Sequence, residues 1–407
     1  MTLCRIHKLL LTCIVLLSTI SANANSKFVS TKGKDFIAPD GKILALKGIG
    51  LGNWLLPEGY MFEFKKAGSP LQIYEMTNQL IGESESRKFW KSFRDNYITR
   101  EDIKFIKKSG FNSVRVPFNY RLFVSESDPQ KLEGVGYELI ERVVRWCKNE
   151  GLYVILDMHA APGGQTGDNI DDSFGYPFLF ESSEDQELTA KIWGKLARRY
   201  RNEPTILGYD LLNEPIAHYF NVDYFNPKLE PLYKKITAEI RKTDKNHIII
   251  LGGAQWNSNF NIFGEPFDKK LAYTFHIYGN KVEQRAVQQF VEFRDKYNVP
   301  MWLGESGENT DEWIKAFKDL LEENQIGWCF WTYKRLNSTR TIASIKRPED
   351  WDDIVNFSGS PRTGFDEIRK ARPPKEKIVK ALRDYLENIK FENCQINEGY
   401  LKALGVK

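Results

Sequence analysis

The stretch RNEPTILGYDLLNEP, Arg201–Pro215, carries the tripeptide Asn-Glu-Pro at both ends of one apolar run. A helical pattern, ELTAKIWGKLARRY, comes before it, and Pro204 punctuates the junction because its ring cannot continue a helix. The run that follows is short and lacks polar alternation, as parallel strands covered on both faces do. Helix, turn and buried strand in that order place the two tripeptides at opposite ends of the strand. Asn202-Glu203-Pro204 falls where the strand enters and Asn213-Glu214-Pro215 where it leaves. Glu203 is expected in a solvated turn, and Glu214 at a carboxyl-terminal strand edge, where α/β folds carry their chemistry.

Working outward, seven more runs of the same kind appear. They are KILALKGIGLG from Lys42, SVRVPF from Ser113, YVILDMH from Tyr153, HIIILGG from His247, AYTFHIYG from Ala272, PMWLGES from Pro300 and GWCFWTYK from Gly327. Helical patterns separate them. TREDIKFIKKSG opens on Thr99 as N-cap with Asp102 at the capping-box position and stops at Gly110. GYELIERVVRWCKNEG places Ile140, Val143, Val144 and Cys147 on one face and stops at Gly151. PKEKIVKALRDYLENI gives a final helix. Eight strands alternating with helices predict a single α/β domain, a (β/α)8 TIM barrel, and no Gly-rich strand-turn-helix fingerprint points to a dinucleotide fold. Long loops are expected after strands one, three and eight, about residues 57–97, 160–184 and 335–374, walling the catalytic face.

The chain has 407 residues, with 42% hydrophobic, 28% charged and a formal net charge of +4. With no basic block, nothing marks a nucleic-acid footprint. Ten Trp and eighteen Tyr supply large core side chains and flat platforms suited to sugar rings. The amino terminus reads as a secretion signal: Arg5 and Lys8, the apolar stretch Leu9–Ile20, then Ala22-Asn23-Ala24 as a small-x-small cleavage site. That division gives residues 1–24 as signal and 25–407 as one catalytic domain, secreted to an extracellular or periplasmic space. The apolar stretch is too short for a membrane span, which needs about 20 residues. Cys147, Cys329 and Cys394 would remain, an odd set without close pairs, so the core rather than a disulfide framework is expected to hold the fold. No Cys/His cluster has zinc-ligand spacing, and no metal or cofactor is expected.

The strand ends converge on one chemistry. Arg115 lies in strand two; Asp157 and His159 end strand three; Asn213 and Glu214 end strand four. His276 and Tyr278 end strand six, Glu305 strand seven, and Trp331 with Lys334 strand eight. Two glutamates facing each other among Arg, His, Asn and Tyr suit glycoside hydrolysis, in which one carboxyl protonates the leaving oxygen and the other attacks the anomeric carbon. Arg115 and the Tyr278 hydroxyl would keep the attacker ionised, Asn213 would meet the sugar 2-hydroxyl, and Trp331 would stack on the ring. Asp157 is expected to point into the barrel as a supporting partner. Glu308, one turn beyond Glu305, is expected to cap the helix that starts near Thr310.

SVRVPFNY, LDMHAAPGGQ, LLNEP, FHIYG, LGES and CFWTYK stand in the order and spacing of glycoside hydrolase family 5, and most of the chain resembles that family of retaining β-glycosidases. The resemblance implies Glu214 as acid/base and Glu305 as nucleophile, with Arg115, His159, Asn213, His276, Tyr278 and Trp331 at the family's other active-site positions. GIGLGNWLLPEG and HAAPGGQTGDNIDDS resemble the exo-β-1,3-glucanase branch, which implies substrate binding by Glu58. Two features depart from that branch. Ser306 and Glu308 follow the nucleophile where most members carry an aromatic residue, and WTYK is more similar to open-cleft endoglucanases. The expected partner is a β-linked oligo- or polysaccharide bound by a monomer. The alternatives are an endo-acting cellulase or mannanase of the same family, a barrel that binds polysaccharide without turnover, and a metal-dependent barrel hydrolase, the last disfavoured by the lack of a His-x-His pair after strand one.

Overall fold

The computed structural model describes residues 27–407, so the expected secretion signal lies outside the described residues. The chain enters through a small antiparallel hairpin, β1 (Ser30–Lys32) and β2 (Asp35–Ile37). Eight parallel strands follow: β3 (Lys47–Gly50), β4 (Ser113–Asn119), β5 (Tyr153–Ala160), β6 (Ile206–Asp210), β7 (Ile248–Gly252), β8 (Leu271–His276), β9 (Met301–Glu305) and β10 (Gly327–Phe330). They close into a barrel in sequence order, with β10 pairing β3 through Trp328↔Lys47, Cys329↔Gly48 and Phe330↔Ile49. Each strand coincides with one of the apolar runs, and the barrel is the one those runs predict.

Side-chain alternation divides the strands between two cores. On β5, Val154, Leu156 and Met158 face the surrounding helices, while Ile155 turns to an inner cluster with Leu207, Ile248, Ile250, Ala272, Trp302 and Cys329. Val29 and Phe36, from the amino-terminal hairpin segment, complete that inner cluster. The hairpin thus corks the bottom of the barrel, a role that three-residue strands do not announce by periodicity.

Above the apolar layer, inward positions turn polar. Arg115, Asp157 and Asp210 are fully buried there, which is affordable only because they pair with one another. Cys147 and Cys329 are buried thiols and Cys394 is half-buried; none is in a disulfide.

The long loops are built rather than loose. Between β3 and β4 lie three helices, α1 (Pro70–Ile81), α2 (Glu83–Tyr97) and α3 (Arg100–Lys108). Thr99 and Asp102 form the expected capping box of α3, and Gly110 takes φ +103° beyond its end. Beyond β10 stands a three-stranded sheet of β11 (Lys334–Leu336), β12 (Ala343–Ile345) and β13 (Gln395–Ile396). That sheet was not legible as strands in the sequence. Lys334 does not face the cleft as its place after Trp331 suggests. Its ammonium is buried, 2.7 Å from Asp102 Oδ1, and donates to the carbonyls of Tyr97 and Ile389 at 2.8 and 3.0 Å. It fastens the last barrel strand to the helices after the first and to the carboxyl-terminal region.

Candidate active site

All the residues expected at strand ends, Lys334 excepted, gather at the carboxyl-terminal mouth of the barrel. Glu214 follows β6 in a tight turn with φ 45°. The loop after β5 pins that turn: Thr166 Oγ1 donates to the Glu214 carbonyl at 2.8 Å, and Gln165 Nε2 donates to the carbonyls of Asn213 and His159 at 2.8 and 2.7 Å. These two residues carry no chemistry of their own, which is why strand-end reading passed over them. Glu305 ends β9, across the mouth from Glu214.

Arg115 organises the floor. Its Nε donates to Asp210 Oδ2 at 2.9 Å, its Nη2 to Asn213 Oδ1 at 2.9 Å, and its Nη1 to Glu305 Oε1. Asp157 Oδ1 lies 3.2 Å from Nη2. The other Glu305 oxygen accepts from the Tyr278 hydroxyl at 3.1 Å. Glu305 is therefore held from both oxygens, by a buried guanidinium and a phenolic hydroxyl. Asn213 is fully buried beneath the cleft, engaged by Arg115 and His159.

The two histidines have defined protonation. His276 Nε2 faces Asn257 Nδ2 at 3.1 Å and must accept, so its Nδ1–H donates to Glu214 Oε1 at 2.8 Å. His159 Nε2 likewise faces Asn213 Nδ2 at 3.2 Å, leaving Nδ1–H for Asp157 Oδ2 at 2.7 Å. Burial holds both rings neutral, lowering His159 to about 4 and His276 to about 3. Burial raises Glu214 to about 7, with His159 and Arg115 opposing. Glu214 and Glu305 thus sit in opposite environments. Each has a carboxylate oxygen in a set whose members lie within 4.8 Å of one another.

Trp331 is buried, stacked parallel to His159 at 5.6 Å between centroids, and its Nε1 donates to the Tyr60 hydroxyl at 2.8 Å. Gly52 makes room for it, since a Cβ there would come within 2.5 Å of the indole. Glu58 is 3% exposed and lines the same cavity, about 810 Å³ in volume, as Glu214, Glu305, His159, His276 and Trp331. That size suits a small-molecule or oligosaccharide site. Burial first, and then the charge of Glu305, push the Glu58 carboxyl well above the usual range.

Glu308 does not cap the helix α9, in chain order after α4–α8 (Gly136–Glu150, Ser183–Tyr200, Val222–Arg241, Ala254–Asn257 and Gln288–Tyr297) and spanning Asp311–Glu323. Thr310 does so, its hydroxyl accepting from the Trp313 amide. Glu308 instead takes φ 51°, lines the cavity and pairs with Arg335. Among the described residues, the His/carboxylate sets whose atoms converge are Asp157–His159–Glu305 and Glu214–His276–Glu305. In both, the histidine Nδ1 is an N–H donor and Arg115 holds Glu305, so the donors are arranged for proton chemistry rather than as a cation cage.

The model of the cellulase family, glycosyl hydrolase family 5, matches residues 65–337, more than half of the chain. The chain belongs to glycosyl hydrolase family 5. As a family 5 member it is a glycoside hydrolase, and relatives with named activities bear that out. A β-xylosidase of Phanerodontia chrysosporium is 29% identical over 75% of this chain and 71% of its own. Endoglucanase C of Acetivibrio thermocellus is 27% identical over 62% of this chain and 89% of its own. A glucan 1,3-β-glucosidase of Lachancea kluyveri is 30% identical, covering 56% of this chain and 55% of its own length. In fold the family 5 barrel is similar to an endogalactoceramidase (TM-score 0.60, 16% identity, 93% and 84% of the two chains). It is similar also to Thermotoga maritima Cel5A (TM-score 0.56, 18% identity, 88% and 97%).

Proposed function

We propose that the protein is a retaining β-glycosidase of β-linked glucans, with Glu305 as nucleophile and Glu214 as acid/base. The observation that carries this reading is the pairing of two carboxyls whose oxygens lie within 4.8 Å in opposite environments. Retaining enzymes hold their carboxyls about 5–5.5 Å apart, whereas inverting ones leave about 6.5–9.5 Å for a water. Glu305, held by Arg115 and Tyr278, attacks the anomeric carbon while Glu214, kept protonated by burial, gives its proton to the leaving oxygen. In the second step Glu214 takes a proton from water, which displaces Glu305 from the sugar. Trp331 supplies the apolar platform, while Asn213, expected to meet the 2-hydroxyl, is fully buried and instead braces Arg115 and His159 beneath the sugar. Export rests on the amino-terminal pattern of Arg5, Lys8 and the apolar stretch to Ile20.

Glu214→Gln and Glu305→Gln are each expected to lower turnover of an aryl β-glucoside by a factor on the order of 10³ or more, as removal of an essential catalytic group does. Glu203→Gln is expected to leave turnover near wild type. Full activity in either of the first two variants rules the assignment out. A second reading, endo-acting cellulase, is favoured by the endoglucanase that matches along 89% of its length. Product analysis separates the two: single glucose units from chain ends, or a ladder of oligosaccharides.

A further inference from the structure

Glu308 is a cleft carboxylate that the double-displacement chemistry leaves unused. It stands where the loop after β9 bends back over the cavity, and its backbone conformation (φ 51°) is one that residues other than Gly seldom adopt. The bend is reinforced from several sides. Arg335 Nη1 donates to its carboxylate, Arg340 Nη1 donates to its carbonyl at 3.3 Å, and the Arg335 guanidinium lies 4.7 Å over the Tyr60 ring. At Gly307 before it, φ is +142° and a Cβ would come within 2.1 Å of the Trp331 carbonyl, so the loop is pressed against the end of β10. Strain held this firmly at a cleft is a reason to look for function.

Beside it, Glu58 Oε1 is buried and has no hydrogen-bond partner, although it lines the cavity. A buried carboxyl oxygen without a partner marks a place for a ligand donor or acceptor. Glu58, Glu308, Tyr60 and Arg335, the last from β11, come from the segments that follow β3, β9 and β10. These three strands are consecutive in the closed barrel, and β10 stands four places from β6 by either route. The cluster is therefore centred opposite Glu214. A pyranose with C1 at Glu305 and its leaving oxygen toward Glu214 must point its C4 and C5 substituents toward that arc.

We infer that Glu308, clamped by Arg335 and working with Glu58, recognises the 4-hydroxyl and the C5 hydroxymethyl of the sugar unit that Glu305 attacks. The ligand class is a terminal hexopyranosyl unit unsubstituted at C4, and the residue is a specificity determinant rather than a catalytic one. The inference rests on the glycosidase reading and deepens it. A carboxylate that served only to anchor Arg335 would touch every substrate alike; one that reads hydroxyls discriminates between substrates that have them and substrates that lack them.

The test compares 4-nitrophenyl β-glucoside with its 4-deoxy and 6-deoxy analogues on wild type, E308A and E308Q. In wild type, kcat/KM for at least one analogue is expected to fall about tenfold or more, because a site built around a hydroxyl is left with an unpaired polar group. In E308A that discrimination is expected to shrink to within about threefold, the deoxy substrate losing what the variant has already lost. E308Q retains size and a hydrogen bond to the loop, so it keeps the comparison available should E308A not fold. Variants that lose parent and analogue activity in equal proportion, and so keep the wild-type discrimination, overturn the inference. A wild-type protein inactive both on the parent glucoside and on β-glucan chains overturns instead the β-glucan reading beneath it.

Discussion

At the scale of single residues, the site depends on carboxyls of one chemical type performing different tasks. As the proposed acid, Glu214 must carry a proton to give away, and burial raises it to about 7. The sign follows directly: below about pH 7 the acid is loaded and kcat/KM is maintained, and above it the proton is lost and kcat/KM falls. A pH profile of kcat/KM on an aryl glucoside checks this, with the alkaline limb near neutrality rather than near pH 9. The two histidines do not shape that limb, because burial keeps them neutral down to about 4 and about 3. Glu203, identical to Glu214 in its flanking letters, pairs with Lys148 at 2.9 Å and accepts from the Thr205 amide at the entry to β6. Strand position separates the two, and position was readable from the pattern around them. Glu308 was not readable in the same way. Its left-handed backbone turns it back over the cleft, and no periodicity encodes a φ of that sign outside glycine.

At the scale of elements, the strands were legible because burial on both faces gives unbroken apolar runs, and helices such as α3 were legible through their caps. The hairpin β1–β2 and the sheet β11–β13 were not, since strands of two or three residues are too short to show alternation. Lys334 shows the cost of reading strand ends alone. Beyond β10 the chain turns outward into β11, and the ammonium meets Asp102, already the capping residue of α3 and acceptor of the Tyr333 hydroxyl at 3.0 Å. This pair joins the last barrel strand to the first βα loop. Lys334→Met leaves Asp102 buried without its cation and is expected to destabilise the fold by about 3–5 kcal/mol, the usual loss when one partner of a buried pair is removed. Urea unfolding followed by fluorescence measures it. A loss below about 1 kcal/mol would mean the pair is exposed to solvent, as surface pairs of that worth are.

At the scale of the whole molecule, the described residues include no helix long and apolar enough to cross a membrane. The proposed mature chain begins at Asn25 and acts as a monomer; mass spectrometry of the exported protein and sedimentation check both, with an intact Met1 or a stable dimer as the contrary outcomes. The barrel closes by pairing β10 with β3, strands separated by about two thirds of the chain. Glu58 belongs to one side of that seam and Trp331 to the other, and Arg115 needs Asp157, Asp210 and Glu305 from three further strands to be neutralised. During synthesis, then, no growing chain can hydrolyse anything until its final barrel strand has emerged and zipped onto its first. Hydrolysis at this site is thus a property of the closed ring and of no open fragment of it.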